Sequence, residues 1–509
     1  MKKLLAFDTE THLFKPGCMA PPMVCLSIAS EHTSDVVHKR DPECKRLLTT
    51  MLRQAADGLV VLVGQFTAFD MAVIAANFPD LLPLIFAAYD ADGVTDTKIR
   101  ERMADIAKGQ LSLVKGYYTL ANLAKVHQYP TDLDKDTWRM RYAELDEVPV
   151  RDWPEGAREY SRHDALSTLW VAHSQEADAE FLTDQFRQAR ADFALHLMAC
   201  WGVVTDPIMV AKRRREAQAK LDSYEAALLA ADLIYKDKKG EYHKRAKKAS
   251  EYAGTVWEQL GGCPDGFRTS TGYKLDKDAV SFMQNELMTA YQQFGSTSSV
   301  MSAVEDLEKG ISEPIHSRFE VLQETGRTGS SGPNLQNRAV KGGDRECFIP
   351  RPGNCYLDTD YDGLELCTIA QTMIFAGIGP QTLADALRAG KDPHAMLAAN
   401  MLHIDYETAI KRKKDKKDGA FYRGRQTGKV GNFGLPAGLG EAALIYQART
   451  KYDLILTPAD VAILKPAWHA TWPEMRAYQK FIRDLCGPSG YAWVTHFVSE
   501  RQRGNIPFT

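Results

Sequence analysis

L-L-A-F-D-T-E-T, residues 4–11, decides how the N-terminal part of the chain is read. Leu4–Phe7 is a short continuous apolar run, the pattern of a buried strand. Asp8 and Glu10 follow at its end. Side chains at i and i+2 of a strand project from one face, so both carboxylates can meet the same ion. An exposed strand end would carry the same pair, so the two acids gain weight only from what surrounds them. Further on, V-V-L-V-G-Q-F-T-A-F-D runs over 60–70. It predicts a strand at Leu59–Val63, Asp70 at the start of a helix, and that helix over Met71–Asn77. In E-Y-S-R-H-D-A-L-S-T-L-W, residues 159–170, Tyr160 and Asp164 are spaced i, i+4, one turn apart on one helix face. Strands alternating with helical patterns over 1–175 predict an α/β domain.

The bulk numbers frame the rest. A chain of 509 residues has room for two or three domains. Hydrophobic residues make up 44% and charged residues 25%, a globular composition. Net charge is −3, so any nucleic-acid contact must concentrate positive charge locally. Nine cysteines without a C-x-x-C pair argue against a zinc site or a disulfide framework, and fit a reducing cytoplasm. M-K-K-L-L-A-F begins like a signal peptide, but Asp8 and Glu10 end the apolar run too early. No stretch is apolar for long enough to span a membrane, so no membrane partner is expected.

Together the four acids make chemical sense. Phosphodiester hydrolysis is helped by two divalent ions about 3.5–4 Å apart that clamp the attacking and leaving oxygens. Hard ions such as Mg²⁺ take oxygen ligands, and a tyrosine hydroxyl can orient the attacking water. In order and context the set resembles the DEDD exonucleases of the tyrosine subtype. Asp8 and Glu10 match the first motif, Asp70 the second, and Tyr160 with Asp164 the third. D-T-K-I-R-E-R-M at 96–103 and T-L-A-N-L-A-K at 119–125 also match. Gln65-Phe66 stand where that family often has His-Asn. The resemblance implies Asp8, Glu10, Asp70 and Asp164 as metal ligands.

Residues 180–310 read as helical and charge-rich, with lysines at Lys236, Lys238, Lys239 and Lys244 beside Arg245. A solvated face and a contact with duplex phosphates weigh evenly there, as they do for K-R-K-K-D-K-K-D at 411–418. T-G-R-T-G-S-S-G-P-N-L-Q-N follows at 325–337. Its Arg327, Asn334, Gln336 and Asn337 offer donors and acceptors on a Gly/Pro-shaped backbone, suited to a minor groove. N-C-Y-L-D-T-D-Y-D-G-L-E-L-C-T-I-A at 354–370 reads as an apolar strand delivering Asp360, with Asp358 the alternative on the same face, and a helix from about Leu364. In R-G-R-Q-T-G-K-V-G-N-F-G-L-P-A-G at 423–438, Arg425, Lys429 and Phe433 are four apart, one stripe along a helix. Two cations suit a triphosphate, and an aromatic ring can pack on sugar and base.

These three segments resemble a phage-type family A DNA polymerase. The resemblance implies that 325–337 holds primer–template DNA, and Arg345 and Phe348 in R-E-C-F-I-P continue that match. Asp360 becomes the aspartate of motif A that binds both catalytic metals, and Glu365 the residue that excludes a ribose 2′-hydroxyl. Arg425, Lys429 and Phe433 become the nucleotide-binding residues of motif B. D-P-H-A-M-L-A at 392–398 also fits, as does Arg503 near the duplex. Cys367 stands where the family usually has Arg, and Ala437 where it commonly has Tyr.

The expected architecture is α/β plus α: an RNase H-like exonuclease domain over 1–180, a helical thumb over 181–325, and an incomplete palm with helical fingers over 326–509. The expected cofactor is Mg²⁺, two per active site, with Mn²⁺ able to substitute. Primer–template DNA and dNTPs are the expected partners, and the cytoplasm (of the bacterial host if the chain is phage-encoded) the expected location. No His-Asp-Glu turn, the family's motif C, occurs in the sequence. The leading expectation is therefore one part of a split polymerase, completed by a second polypeptide. The alternatives are a 3′–5′ exonuclease with an inactive polymerase remnant, and a non-catalytic primer–template-binding subunit.

Overall fold

A computed structural model describes residues 3–15, 18–130, 137–238, 240–338, 343–415 and 418–507. The chain forms two compact units. The first comprises Met1–Arg102, Val114–Ala177 and Gln185–Leu357; the second comprises Met103–Leu113, Asp178–Asp184 and Asp358–Thr509.

The first unit is built on a five-stranded sheet. Its strands are β1 (Lys3–Thr11), β2 (Met23–Ala29), β3 (Ser34–His38), β4 (Val60–Gly64) and β5 (Val94–Asp96). Their order is β3-β2-β1-β4-β5. β1 pairs antiparallel with β2 and parallel with β4, and β5 continues the parallel side. Central position explains the apolar run at 4–7: Ala6 and Phe7 are fully buried. The helix Thr67–Asn77 follows β4, and Glu155–Ser174 packs across β1 and β2.

Beyond the sheet, the long helices Pro207–Ala230 and Glu286–Ser312 pack on each other. Asp206 caps the first by accepting from the amides of Ile208 and Met209. A separate core forms around Leu228, Trp257, Tyr291 and Phe294. Ile234–Lys236 and Tyr242–Lys244 pair as a short hairpin, and three of the cations there have partners. Lys236 lies over Tyr242, Lys244 over Tyr291, and Arg245 pairs with Asp232. Lys239, Lys416 and Lys417 lie outside the described residues, as do Phe508 and Thr509.

The second unit is helical. Leu364–Phe375, Pro393–Met401, Gly419–Gly434 and Pro458–Thr471 surround a core that includes Val430, Leu464, Trp468 and Trp472. A hairpin, Tyr491–Thr495 with Gln502–Pro507, ends it. The strand expected before Asp360 is absent: 354–361 has no regular structure. Apolar residues suffice for a strand only where a neighbour completes the ladder. None of the described strands pairs with this segment, and Tyr356, Leu357 and Tyr361 are exposed.

None of the nine cysteines forms a disulfide. No single helix among the described residues is long and apolar enough to cross a membrane. The bent pair Thr67–Asn77 and Pro79–Asp90 is apolar because it packs in the core, with Met71, Val73, Ile74 and Ile85 fully buried.

Candidate functional site

The first unit gathers the N-terminal acids. β1 places Asp8 opposite Ser27 and Glu10 opposite Cys25, and the pleat turns both carboxylates to one side. The helix Glu155–Ser174 brings Tyr160 and Asp164 to that face. One carboxylate oxygen from each of Asp8, Glu10 and Asp164 lies within 4.8 Å of the others. Asp70 is not in that trio. It is buried and its Oδ1 accepts from the Thr9 amide at 3.1 Å and the Thr9 hydroxyl at 2.6 Å. Its charge still acts on Glu10, and that of Asp8 acts on it.

Burial makes these acids hold protons. Asp8 is raised to about 6 by burial, against the pull of Arg139. Asp164 is raised to about 8, by burial first and Asp8 second. Glu10 and Asp70 are pushed well above the carboxylate range, again by burial and then by the neighbouring acids. Glu10 Oε1 is buried without a hydrogen-bond partner. A buried, unsatisfied carboxylate among like charges is costly unless a cation arrives. The donor set, oxygen only, fits a hard divalent ion. Tyr160 faces Asp164, and burial raises its hydroxyl above the ordinary phenol range, so it stays protonated.

Phe66, one turn before Asp70, adopts a left-handed backbone with φ 65° and ψ 47°. Its ring stacks on Phe69, meets His196 edge-on, and has Lys98 Nζ at 5.6 Å. No sequence pattern announces a left-handed phenylalanine. Arg139, on the turn Thr137–Met140, is a second participant that spacing alone does not disclose.

In the second unit Arg425, Lys429 and Phe433 form the expected stripe on Gly419–Gly434. Around them stand residues that the stripe alone does not reveal. Arg425 Nε donates to Asp392 Oδ2 at 2.9 Å, and Lys413 Nζ donates to the same oxygen at 2.8 Å. Burial pushes Asp392 up, but Lys413 and Arg425 outweigh it and hold the carboxyl at about 2. His394 packs on Phe433 with ring centres 5.3 Å apart, and its Nδ1 lies 3.1 Å from Asn432 Nδ2. Burial lowers His394 to about 4, so it is neutral at physiological pH. Lys429 Nζ is 5.7 Å from the Tyr452 ring centre. The charge of Glu365, in the first turn of Leu364–Phe375, acts on Tyr452 as well. Asp360 is exposed and belongs to no group of three ligating side chains among the described residues.

The loop 325–337 is held by pairing of Gly329–Ser331 with Arg318–Glu320, by Ser317 and by bonds of its own. Gln336 Nε2 donates to Thr328 Oγ1 at 2.7 Å, and the Asn337 amide to Asn334 Oδ1 at 3.0 Å. Arg327, Asn334, Gln336 and Asn337 are all exposed. Asn334 and Asn337 line an open cleft with Arg338, Asp306 and Ser302. Arg503 sits in the terminal hairpin opposite Val494.

The family profile described as DNA polymerase family A matches residues 246–501, half of the chain. The chain belongs to DNA polymerase family A. DNA polymerase I of Chloroflexus aurantiacus is 25% identical over 480 residues, covering 88% of this chain and 46% of that protein. DNA polymerase I of Geobacillus stearothermophilus is 25% identical over 249 residues, 46% of this chain and 26% of that one. The chain thus spans about half or less of the length of these family A relatives. A solved structure, the POL domain of Pol1 from M. smegmatis in complex with DNA primer-template and dNTP, aligns with TM-score 0.66. It covers 99% of this chain and 78% of that one at 18% identity, which places the fold in the same group.

Proposed function

We propose that the chain combines a 3′–5′ DNA exonuclease with a large part of a family A DNA-directed DNA polymerase. The observation that carries the nuclease half is the trio Asp8, Glu10 and Asp164 with its unsatisfied Glu10 oxygen. On this reading 1–180 is an RNase H-like nuclease domain, 181–325 a thumb, and 326–509 palm and fingers.

Asp8, Glu10, Asp164 and the adjacent Asp70 would hold the divalent ions, Mg²⁺ or Mn²⁺. Such ions, when bound, supply Lewis acidity at the scissile phosphodiester. The chain's own residues do the positioning. Tyr160, protonated and beside Asp164, donates to a water or accepts from it and so fixes the line of attack. Thr9 fixes the Asp70 carboxylate through two hydrogen bonds. Digestion of a 5′-labelled single-stranded oligonucleotide tests the reading. A ladder shortening from the 3′ end, lost in Asp8→Ala, is expected; undiminished digestion by Asp8→Ala refutes the site.

For the polymerase half, Arg425 and Lys429 meet the triphosphate and Phe433 packs on sugar and base, with Glu365 screening the 2′ position. Asp360 contributes one palm carboxylate. We read the second as coming from a separate polypeptide. What favours this is an apolar set in the second unit, Tyr361, Leu364, Phe375, Phe497 and Val498, that faces solvent. Phe375 and Phe497 stack at 5.2 Å, so part of it is one continuous surface. Primer extension is expected to be weak from the chain alone and restored by a partner co-purified from the source. Robust extension by the isolated chain would overturn the split; failure with every fraction would favour a nuclease with an inactive remnant.

A further inference from the structure

We propose that Asp392 is the resident counter-ion of a phosphate subsite formed by Arg425 and Lys413, and that a terminal phosphate of a nucleoside triphosphate takes its place. The inference rests on the nucleotide-binding reading of the stripe and adds Lys413 and Asp392 to it.

The two oxygens of Asp392 do different work. Oδ1 accepts from the amides of His394 and Ala395 at 2.9 and 3.1 Å and caps the helix Pro393–Met401. Oδ2 receives Lys413 and Arg425. Because both cations donate to one oxygen, their nitrogens cannot be farther apart than the two bond lengths together. That separation suits two oxygens of one phosphoryl group. The Asp392 side chain is 13% exposed, against 28% for Arg425 and 44% for Lys413. The carboxylate is the most enclosed of the three, so a solute reaches the cations first.

One carboxylate facing two cations leaves net positive charge, and Lys429 adds to it one turn along the helix. A terminal phosphate carries more charge than a carboxylate and has three oxygens to offer. Arg425 meets Asp392 through Nε, which leaves the Nη side of its fork for an incoming anion. Lys413 belongs to the run at 411–418 and stands on a different helix, Tyr406–Lys414, from the stripe. Helical periodicity in 423–438 therefore gives no hint of it.

The test titrates the full chain with dATP and with dAMP by calorimetry. Lys413→Ala should raise the Kd for dATP about tenfold and leave that for dAMP unchanged, with Lys413→Arg restoring it. Asp392→Asn keeps a side chain that can cap a helix but removes the competing charge. It should bind dATP about fivefold more tightly. Unchanged dATP affinity in Lys413→Ala, or equal or weaker binding in Asp392→Asn, overturns the subsite. Lys429→Ala separates this failure from that of the parent reading. If Lys429→Ala weakens dATP binding while Lys413→Ala does not, only the subsite falls. If the unaltered chain does not bind dATP, or Lys429→Ala is silent, the nucleotide reading falls and takes the subsite with it.

Discussion

Around Asp8, Glu10 and Asp164 like charges face one another; around Asp392 opposite charges already meet. The acid pocket lies on a sheet strand and a helix that bury it, and its carboxylates answer by keeping protons. The cationic stripe lies on a helix beside part-buried neighbours, and its arginine is paired by a carboxylate held at about 2. On the proposed readings, one site would be completed by adding an ion and the other by exchanging one anion for another. The contrast predicts different sensitivities: the pocket to pH and divalent ions, the stripe to competing phosphates.

The strongest way to break the comparison is at the pocket. Asp8→Ala or Asp164→Ala removes an expected metal ligand, and nuclease turnover should fall on the order of 10³-fold. A rate within threefold or so of the unaltered chain would mean that the trio is only a buried acidic cluster.

Next in size is a test of the scaffold beneath the stripe. Trp472 is fully buried and donates through Nε1 to Asn432 Oδ1 at 3.0 Å. Trp472→Phe strands that oxygen and should cost about 1–3 kcal/mol in chemical denaturation. Hydrogen exchange should show the loss in the second unit and leave β1–β5 protected. Equal loosening of both would show that the units do not unfold separately.

The pH dependence follows with a smaller effect. Folded-state values of about 6 for Asp8 and about 8 for Asp164 exceed those of an unfolded chain. The folded chain then binds more protons, so these groups lower its stability as pH rises from about 4 towards 8. Mg²⁺ competes with those protons. The stabilisation by Mg²⁺, followed by the melting temperature, should therefore be slight near pH 5 and correspond to about 1–2 kcal/mol near pH 8. The same increment at both pH values would show that Mg²⁺ binds elsewhere.

The smallest expected change sharpens one role. Tyr160→Phe keeps the ring against Tyr142 and deletes only the hydroxyl. Nuclease turnover should drop about tenfold with metal affinity unchanged. A matching loss of metal affinity would make Tyr160 a support of the ligands and not a guide for water.

What the sequence discloses depends on how locally each feature is made. Asp8 with Glu10 and Tyr160 with Asp164 are legible because strand and helix periods fix their faces within a few residues. The stripe is legible for the same reason. His394, Asp392 and Lys413 join it from other helices, and periodicity carries no information across such distances. The segment before Asp360 shows the reverse error. Its apolar run reads as a strand, yet strand formation is decided by a neighbour that none of the described strands provides. The left-handed Phe66 escapes for a third reason: its conformation is not favoured by the residue itself, and its ring is met by Phe69, His196 and Lys98, which are distant in part along the chain.

Gly428 has a mechanical consequence. A Cβ there would lie 2.8 Å from the His394 carbonyl oxygen, so Gly419–Gly434 and Pro393–Met401 touch backbone to backbone. Asn432 binds the Pro393 carbonyl at 3.2 Å, and Arg425 ties to Asp392 at the same end. The two helices are thus riveted at three points along one edge. Any tilt of one would carry the other, and Arg425, Lys429, Phe433 and His394 would keep their spacing.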